Sequence, residues 1–398
     1  MLAVLLLMLG LWAGWAAQPA QGSQAVRAMV VFDDATYGTP AADRALAAVG
    51  ASVINQVSAA RMAVVELPSA AAVHRLAARA GVRKVEFDVP VRATEVATGK
   101  GKPSGGTTQP AQVLPWGINE VGASTVWGSG NRGAGVNVAV FDTGIDASHP
   151  DLQANIAGGY LAIHDGKYRR KTSYSDDNGH GTHVAGIVAA VDNSIGVVGV
   201  APEARLWSVK VLDSNGFGWT SDIVDALYWA IGTRSDAVRD NDIQIINMSL
   251  GADSGSTVEA TALADASTAG ILLAAAAGND GSAVDYPAAY PEVVAVAALD
   301  SADAVPSWSS RGPQVELAAP GVSIFSTYKG GGYATLSGTS MASPHVAGAA
   351  ALVWGAQPSL DAAGVRALLD GHAQDLGVSG RDELTGYGLV RPDWALGL

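Results

Sequence analysis

The chain has 398 residues, 48% of them apolar and only 15% charged, a composition of packed globular structure that excludes wholesale disorder. A formal charge of -13 excludes a phosphate-neutralising surface, so no nucleic-acid partner is expected. The absence of cysteine excludes disulfide scaffolds, thiol catalysis and cysteine-ligated zinc, and no 20-residue apolar run after the first twenty positions excludes an integral membrane bundle.

Met1 to Trp15 is an apolar segment, and the small residues Ala16, Ala17, Ala20 and Gly22 follow it. This is the pattern of a secretory signal peptide, placed here at 1–25, and it predicts a secreted, extracellular protein with no membrane attachment after signal cleavage. No Lys or Arg precedes the apolar run, so an uncleaved N-terminal anchor is the alternative.

From Val26 the pattern changes to short strands at Arg27–Phe32, Val53–Val57, Ala63–Leu67 and Val82–Phe87, with helices at Ala41–Val49 and Ala70–Arg79. That β-α-β-β-α-β order predicts a small α+β, ferredoxin-like domain over 26–96. A Gly-, Ser- and Thr-rich linker follows at 97–110, where a processing cut is expected between Gly99 and Ala111. Lys and Arg outnumber Asp and Glu by 10 to 7 up to residue 110, and are outnumbered 14 to 30 beyond it. The opposite net charges favour association of the two parts.

Beyond the linker, over 111–398, strands at Val136–Phe141, Arg205–Leu212, Ile243–Leu250, Ile271–Ala277 and Val293–Leu299 alternate with helices at His180–Ala190, Ser221–Ile231 and Val258–Thr268. Strands this apolar predict a doubly wound, mostly parallel α/β sheet covered by helices on both faces. Its chemistry is expected at the carboxyl ends of the strands.

Asp142 stands at such an end, before Thr-Gly; alone it reads equally as a turn aspartate. His180 and His183 begin an apolar helix with i, i+3 spacing. They read either as a metal pair lacking a third ligand, or as a general base with a buried structural histidine, His183, one turn on. Ser340 opens a small-residue helix and alone reads as an N-cap. Together they supply an acid, a base and a hydroxyl nucleophile, each at an element end, in the order Asp, His, Ser, which is the chain order of subtilisin.

The segments carrying these residues, Val-Phe-Asp-Thr-Gly-Ile-Asp-Ala-Ser-His-Pro-Asp-Leu, His-Gly-Thr-His-Val-Ala-Gly and Gly-Thr-Ser-Met-Ala-Ser-Pro-His, closely resemble those of the subtilisin family of serine proteases. The resemblance runs from about Gln112 to Val390, and region 26 to 95 is similar to the family's N-terminal inhibitor propeptide. It implies a secreted, monomeric serine endopeptidase that acts on protein or peptide substrates and is made with its own propeptide as intramolecular inhibitor. Asp142, His180 and Ser340 would be catalytic, and Asn279 would supply an oxyanion donor. Gly216 to Gly218 and Ser249-Leu250-Gly251 would pair with an extended substrate, with Gly278 lining the wall of the first pocket. Asp280 and Asp285 would lie at its rim or floor and favour a basic residue before the cleaved bond. The resemblance also implies a Ca²⁺ site formed by Gln112, Asp151, Val191, Asn193, Ile195 and Val197, all offering hard oxygen ligands. That site is expected to be completed only after cleavage frees the new N-terminus.

Two rivals have sequence support. Asp253-Ser-Gly could partner Asp142-Thr-Gly in an aspartic protease, and an exported binding module could keep the fold without the activity.

Overall fold

Apolar residues at every second position build the first sheet. β1 (Val26–Phe32) leads through α1 (Pro40–Ala47) to β2 (Ser52–Val57) and β3 (Met62–Leu67), and α2 (Ala70–Ala77) leads to β4 (Val82–Phe87). The four strands are antiparallel in the order β2-β3-β1-β4. Ala28, Val30, Phe32, Val65 and Leu67 share a core with Leu46, Val73 and Leu76 of the two helices. Met29, Met62 and Val64 alternate with them and join the core of the larger unit, as the two-residue period requires. The expected elements are present with their ends moved by a residue or two. The computed structural model describes residues 24–94, 109–164 and 173–398. Nearly all of the expected signal peptide and most of the linker lie outside the described residues.

A strand absent from the expectations, β5 (Pro90–Ala93), closes this part. α3 (Trp116–Glu120) and α4 (Ala123–Gly128) then precede β6 (Asn137–Asp142), β7 (Ile156–Leu161), α5 (His180–Ala189), β8 (Arg205–Lys210), β9 (Phe217–Trp219) and α6 (Thr220–Ser235). β10 (Ile245–Met248), β11 (Leu250–Gly251), α7 (Thr257–Thr268), β12 (Leu272–Ala276), β13 (Val293–Leu299) and β14 (Val315–Pro320) follow. A hairpin of β15 (Ile324–Tyr328) and β16 (Gly332–Leu336), then α8 (Thr339–Ala356), α9 (Ala362–Gly371) and α10 (Pro392–Ala395), complete the chain.

Seven strands form a parallel sheet in the order β14-β13-β12-β10-β6-β8-β7. β6, β10, β12 and β13 are buried at every position. α5 and α8 pack on each other and on the sheet, as do α6 and α7, so the fold is the expected doubly wound α/β layer structure. The chain starts the sheet at β6 and extends it in both directions, which puts the topological switch between β6 and β10, where side chains from several strand ends converge. The single strand expected at Ile243–Leu250 is two strands, because the chain leaves the main sheet at Ser249 and pairs as β11 in a three-stranded sheet, β11-β5-β9.

The first sheet docks through carboxylates on two helix starts. Asp88 accepts from the Ser221 amide (2.9 Å) and hydroxyl (2.6 Å) at the start of α6 and pairs with Arg27 (2.6 Å). Glu86 accepts from the Ser256 hydroxyl (2.7 Å) and the Thr257 amide (3.0 Å) at the start of α7. Negative charge at a helix N-terminus is stabilised by the free amides and the helix dipole. Burial pushes the Glu86 pKa up, but the hydrogen bonds from Thr257, Ser256 and Val258, with Lys84 nearby, together hold it below the usual range.

Candidate active site

Asp142 ends β6, fully buried, and its carboxylate meets His180 Nδ1 at 2.8 and 2.9 Å. The Thr143 amide also donates to Asp142, at 2.7 Å. The start of α5 approaches this closely because residue 181 is glycine: a Cβ there would lie 2.1 Å from the Gly144 carbonyl oxygen and 3.1 Å from the Asp142 side chain. Thr143 Oγ1 accepts from the Gly181 amide (3.0 Å) and donates to Asp176 (2.9 Å), locking helix to strand end. A carboxylate on Nδ1 fixes the tautomer in which Nε2 is the basic nitrogen.

His183, one turn on, is structural. Its Nε2 lies 3.1 Å from the carbonyls of both Ile324 and Ala334, and burial lowers its pKa to about 3, keeping the ring neutral. These bonds aim His180 and His183 at different partners, which removes the metal-pair alternative. Asp253, 83% exposed and 3.7 Å from Arg92, does not join Asp142 as an aspartic dyad would require.

Ser340 sits fully buried in the first turn of α8. Its hydroxyl donates to the Ser249 carbonyl (3.0 Å), and Ser249 Oγ returns a bond to the Ser340 carbonyl (2.8 Å). Asn279 follows β12. Its Oδ1 accepts from the Thr339 amide and hydroxyl, both at 2.9 Å, which orients the amide, while its buried Nδ2 has no hydrogen-bond partner among the described residues. A buried donor left without an acceptor carries a desolvation cost, which an acceptor on a bound molecule would relieve.

The segments expected to pair with an extended substrate are here paired with β5 of the same chain. β5 lies between β9 and β11, antiparallel to both, with Ala93 opposite Leu250, Arg92 opposite Gly251 and Phe217, and Val91 opposite Gly218. The Ala93 amide donates to the Gly216 carbonyl (2.9 Å) and the Thr94 amide approaches the Ser249 carbonyl at 3.5 Å. Thr94 Oγ1 lies 2.7 Å from Ser340 Oγ. Thr94 therefore reaches the serine, ahead of the 97–110 linker in which a cut is expected, because sheet pairing captures the chain before the linker begins. Asp285, expected at the first pocket, lies near Thr94: a Cβ on Gly251 would lie 2.8 Å from Asp285 Oδ2 and 3.1 Å from Thr94 Cγ2, and one on Gly278 would lie 2.7 Å from Asp285 Cγ. Those glycines leave room for both the carboxylate and the peptide. Burial, then the nearby Asp280 and Asp253, push the Asp285 pKa up to about 6 against the opposing effect of Arg92.

The residues implied for calcium are also assembled. Bridges Ala111–Ile195 and Val113–Val197 lay the strand carrying Gln112 along the 191–197 loop. Gln112 Oε1 accepts from the Asn193 amide (2.6 Å), and Asp151 accepts from Asn193 Nδ2 (2.8 Å) and the Val197 amide (2.9 Å). Gly196 has φ +60°, and a Cβ there would lie 2.4 Å from Asp151 Oδ2, so the loop closes over the carboxylate only with glycine. Burial raises the Asp151 pKa despite these bonds, a cost that an adjacent cation would offset. One buried carboxylate, two side-chain amide oxygens and the loop carbonyls fit calcium chemistry. Contrary to expectation, Gln112 is docked in the same uncut chain whose Thr94 contacts Ser340.

Sequence reasoning missed β5, Arg92, Thr94 and the buried Lys210, which donates to the Thr143 carbonyl and to Asp177 (2.7 Å). The short segment Pro-Val-Arg-Ala has no alternation to read, and its pairing partners lie over a hundred residues away.

The family model for the subtilase family matches residues 133–388. The chain is 47% identical over 274 residues to subtilisin from Bacillus pumilus, covering 68% of this chain and 94% of that one. It is 49% identical over 281 residues to a thermostable alkaline protease from Halalkalibacterium halodurans, covering 70% and 73%. It is 42% identical over 290 residues to the minor extracellular protease Epr from Bacillus subtilis, covering 72% and 42%.

Proposed function

Since the chain belongs to the subtilase family and is a serine endopeptidase, we propose that it is a secreted, calcium-stabilised enzyme held inactive by residues 26–94 until it cuts itself after Thr94. The observation that carries this reading is the strand Pro90–Ala93 in the cleft, bringing Thr94 to Ser340, with the Asn279 Nδ2 near the Ser340 turn left without a partner among the described residues. Ser340 Oγ attacks the carbonyl carbon of the bond to be cut while its proton passes to His180 Nε2, and Asp142 stabilises the resulting imidazolium. Asn279 Nδ2 and the Ser340 amide receive the oxyanion. His180 gives the proton to the leaving amine, and water repeats the sequence to release the acyl group.

The first bond cut is Thr94–Glu95, and a second cut nearer Ala111 removes the linker. Secretion is supported by the apolar N-terminus and by the extracellular designation of one relative. Among the described residues no helix is long and apolar enough to cross a membrane.

Asp285 gives the first pocket its charge preference. Hydrolysis of peptides with Arg, Phe or Glu before the cleaved bond tests both the activity and this preference. Arg is expected to be favoured over Phe at low salt and above about pH 6, where Asp285 is ionised, and the advantage is lost as pH falls through that value. Asp285→Asn should remove the pH-dependent part. Equal rates on Arg and Phe at pH 8 would refute the charge preference, and no cleavage of any peptide would refute the activity.

Gln112, Asp151 and the carbonyls of the 191–197 loop would hold calcium, which would supply electrostatic cross-linking of these segments. Because Gln112 is already in place, millimolar calcium is expected to raise the Tm of uncut Ser340→Ala by several degrees, through preferential binding to the folded state. Calcium stabilisation seen only after removal of residues 1–94 would contradict the docked N-terminal strand.

A further inference from the structure

Resting on the reading of Pro90–Thr94 as a substrate-like strand, we propose that Asp253 and Asp280 form a second charged subsite that selects Arg or Lys at the third residue before the cleaved bond. Arg92 occupies that position. Its backbone is opposite Gly251 on one side and Phe217 on the other, and its Nη2 lies 3.2 Å from Asp280 Oδ2 and 3.7 Å from Asp253 Oδ1. The two acids come from separate loops, one after β11 and one after β12, so they converge only at the bound strand.

Alternation along an extended peptide puts residues 92 and 94 on one side and 91 and 93 on the other. Val91, on the other side, is 1% exposed. Arg92 thus lies against Asp253 and Asp280 while Thr94 lies near Asp285, which is itself within electrostatic reach of both acids. Asp285 is 7% exposed, and no hydrogen bond to its side chain occurs among the described residues. Electrostatic coupling links the subsites: Asp280 and Asp253 raise the Asp285 pKa and Arg92 lowers it. A substrate cation at the third position thus also favours the ionised form of Asp285.

The Arg92 pair is solvent-exposed, so its contribution is that of a surface ion pair and is screened by salt. The test compares processed enzyme on peptides that retain Val-x-Ala-Thr before the cleaved bond, with x as Arg, Gln or Glu. At low ionic strength kcat/KM is expected to be about fivefold higher for Arg than for Gln and lower again for Glu, with both gaps closing toward 1 M salt. In Asp253→Asn/Asp280→Asn the Arg-to-Gln ratio should fall to near one. Equal rates on Arg and Gln peptides in the wild type, or an Arg preference surviving in the double variant, would overturn the subsite while leaving the protease reading intact. Failure to cut any of the three would count against the protease reading itself.

Discussion

Replacing His180 by Ala in the full-length chain is expected to slow the cut after Thr94 by about 10⁶-fold, a size that is subtilisin's own for loss of the histidine. The loss is this large because serine is a weak nucleophile at neutral pH until a base takes its proton, and among the described residues His180 is the imidazole that Asp142 meets. The fold should survive. His180 contributes one ring at a buried site whose helix start is also held by Thr143 and Asp176, so far-UV circular dichroism should be unchanged while the self-cleavage rate collapses. A His180→Ala chain that cuts itself at a rate within tenfold of wild type would remove His180 from the mechanism.

Asn279→Asp is expected to lower the self-cleavage rate by about 10²- to 10³-fold, again subtilisin's own size for loss of one oxyanion donor. The substitution keeps an acceptor for the Thr339 amide and hydroxyl but replaces the unpartnered Nδ2 donor by a second acceptor, which repels a developing oxyanion. On peptide substrates the effect should fall on kcat with KM little changed, since the donor is used only when the oxygen becomes charged. A KM effect with kcat preserved would mean that Asn279 holds the ground state instead.

Much of the architecture was legible because buried parallel strands are apolar throughout and their carboxyl ends are marked by Asp-Thr-Gly, Ser-Leu-Gly and Gly-Asn turns. Asp142 closes β6 and Asn279 follows β12, whereas Ser249 stands at a break inside the single strand expected over Ile243–Leu250. What escaped depended on pairing across long separations. Pro90–Ala93 is too short to show a period, and its strand character comes from neighbours at 217–219 and 250–251. The linker is a related case. Its composition marks it as accessible, but accessibility does not position a bond for attack, and the residue brought to Ser340 is Thr94, before the linker starts. The 191–197 loop carried a legible pattern, whereas its pairing with the strand around Gln112 shows only in the bridges at Ala111 and Val113.

Whether Ser340 cuts its own chain at the bond presented by the cleft is tested most directly by the intact mass and C-terminal identity of the released fragment, followed over time in calcium for wild type and Ser340→Ala. The expected result is a first wild-type fragment ending at Thr94 and an uncut Ser340→Ala chain. A first fragment ending between residues 99 and 111, or the same cut appearing in Ser340→Ala, would contradict it.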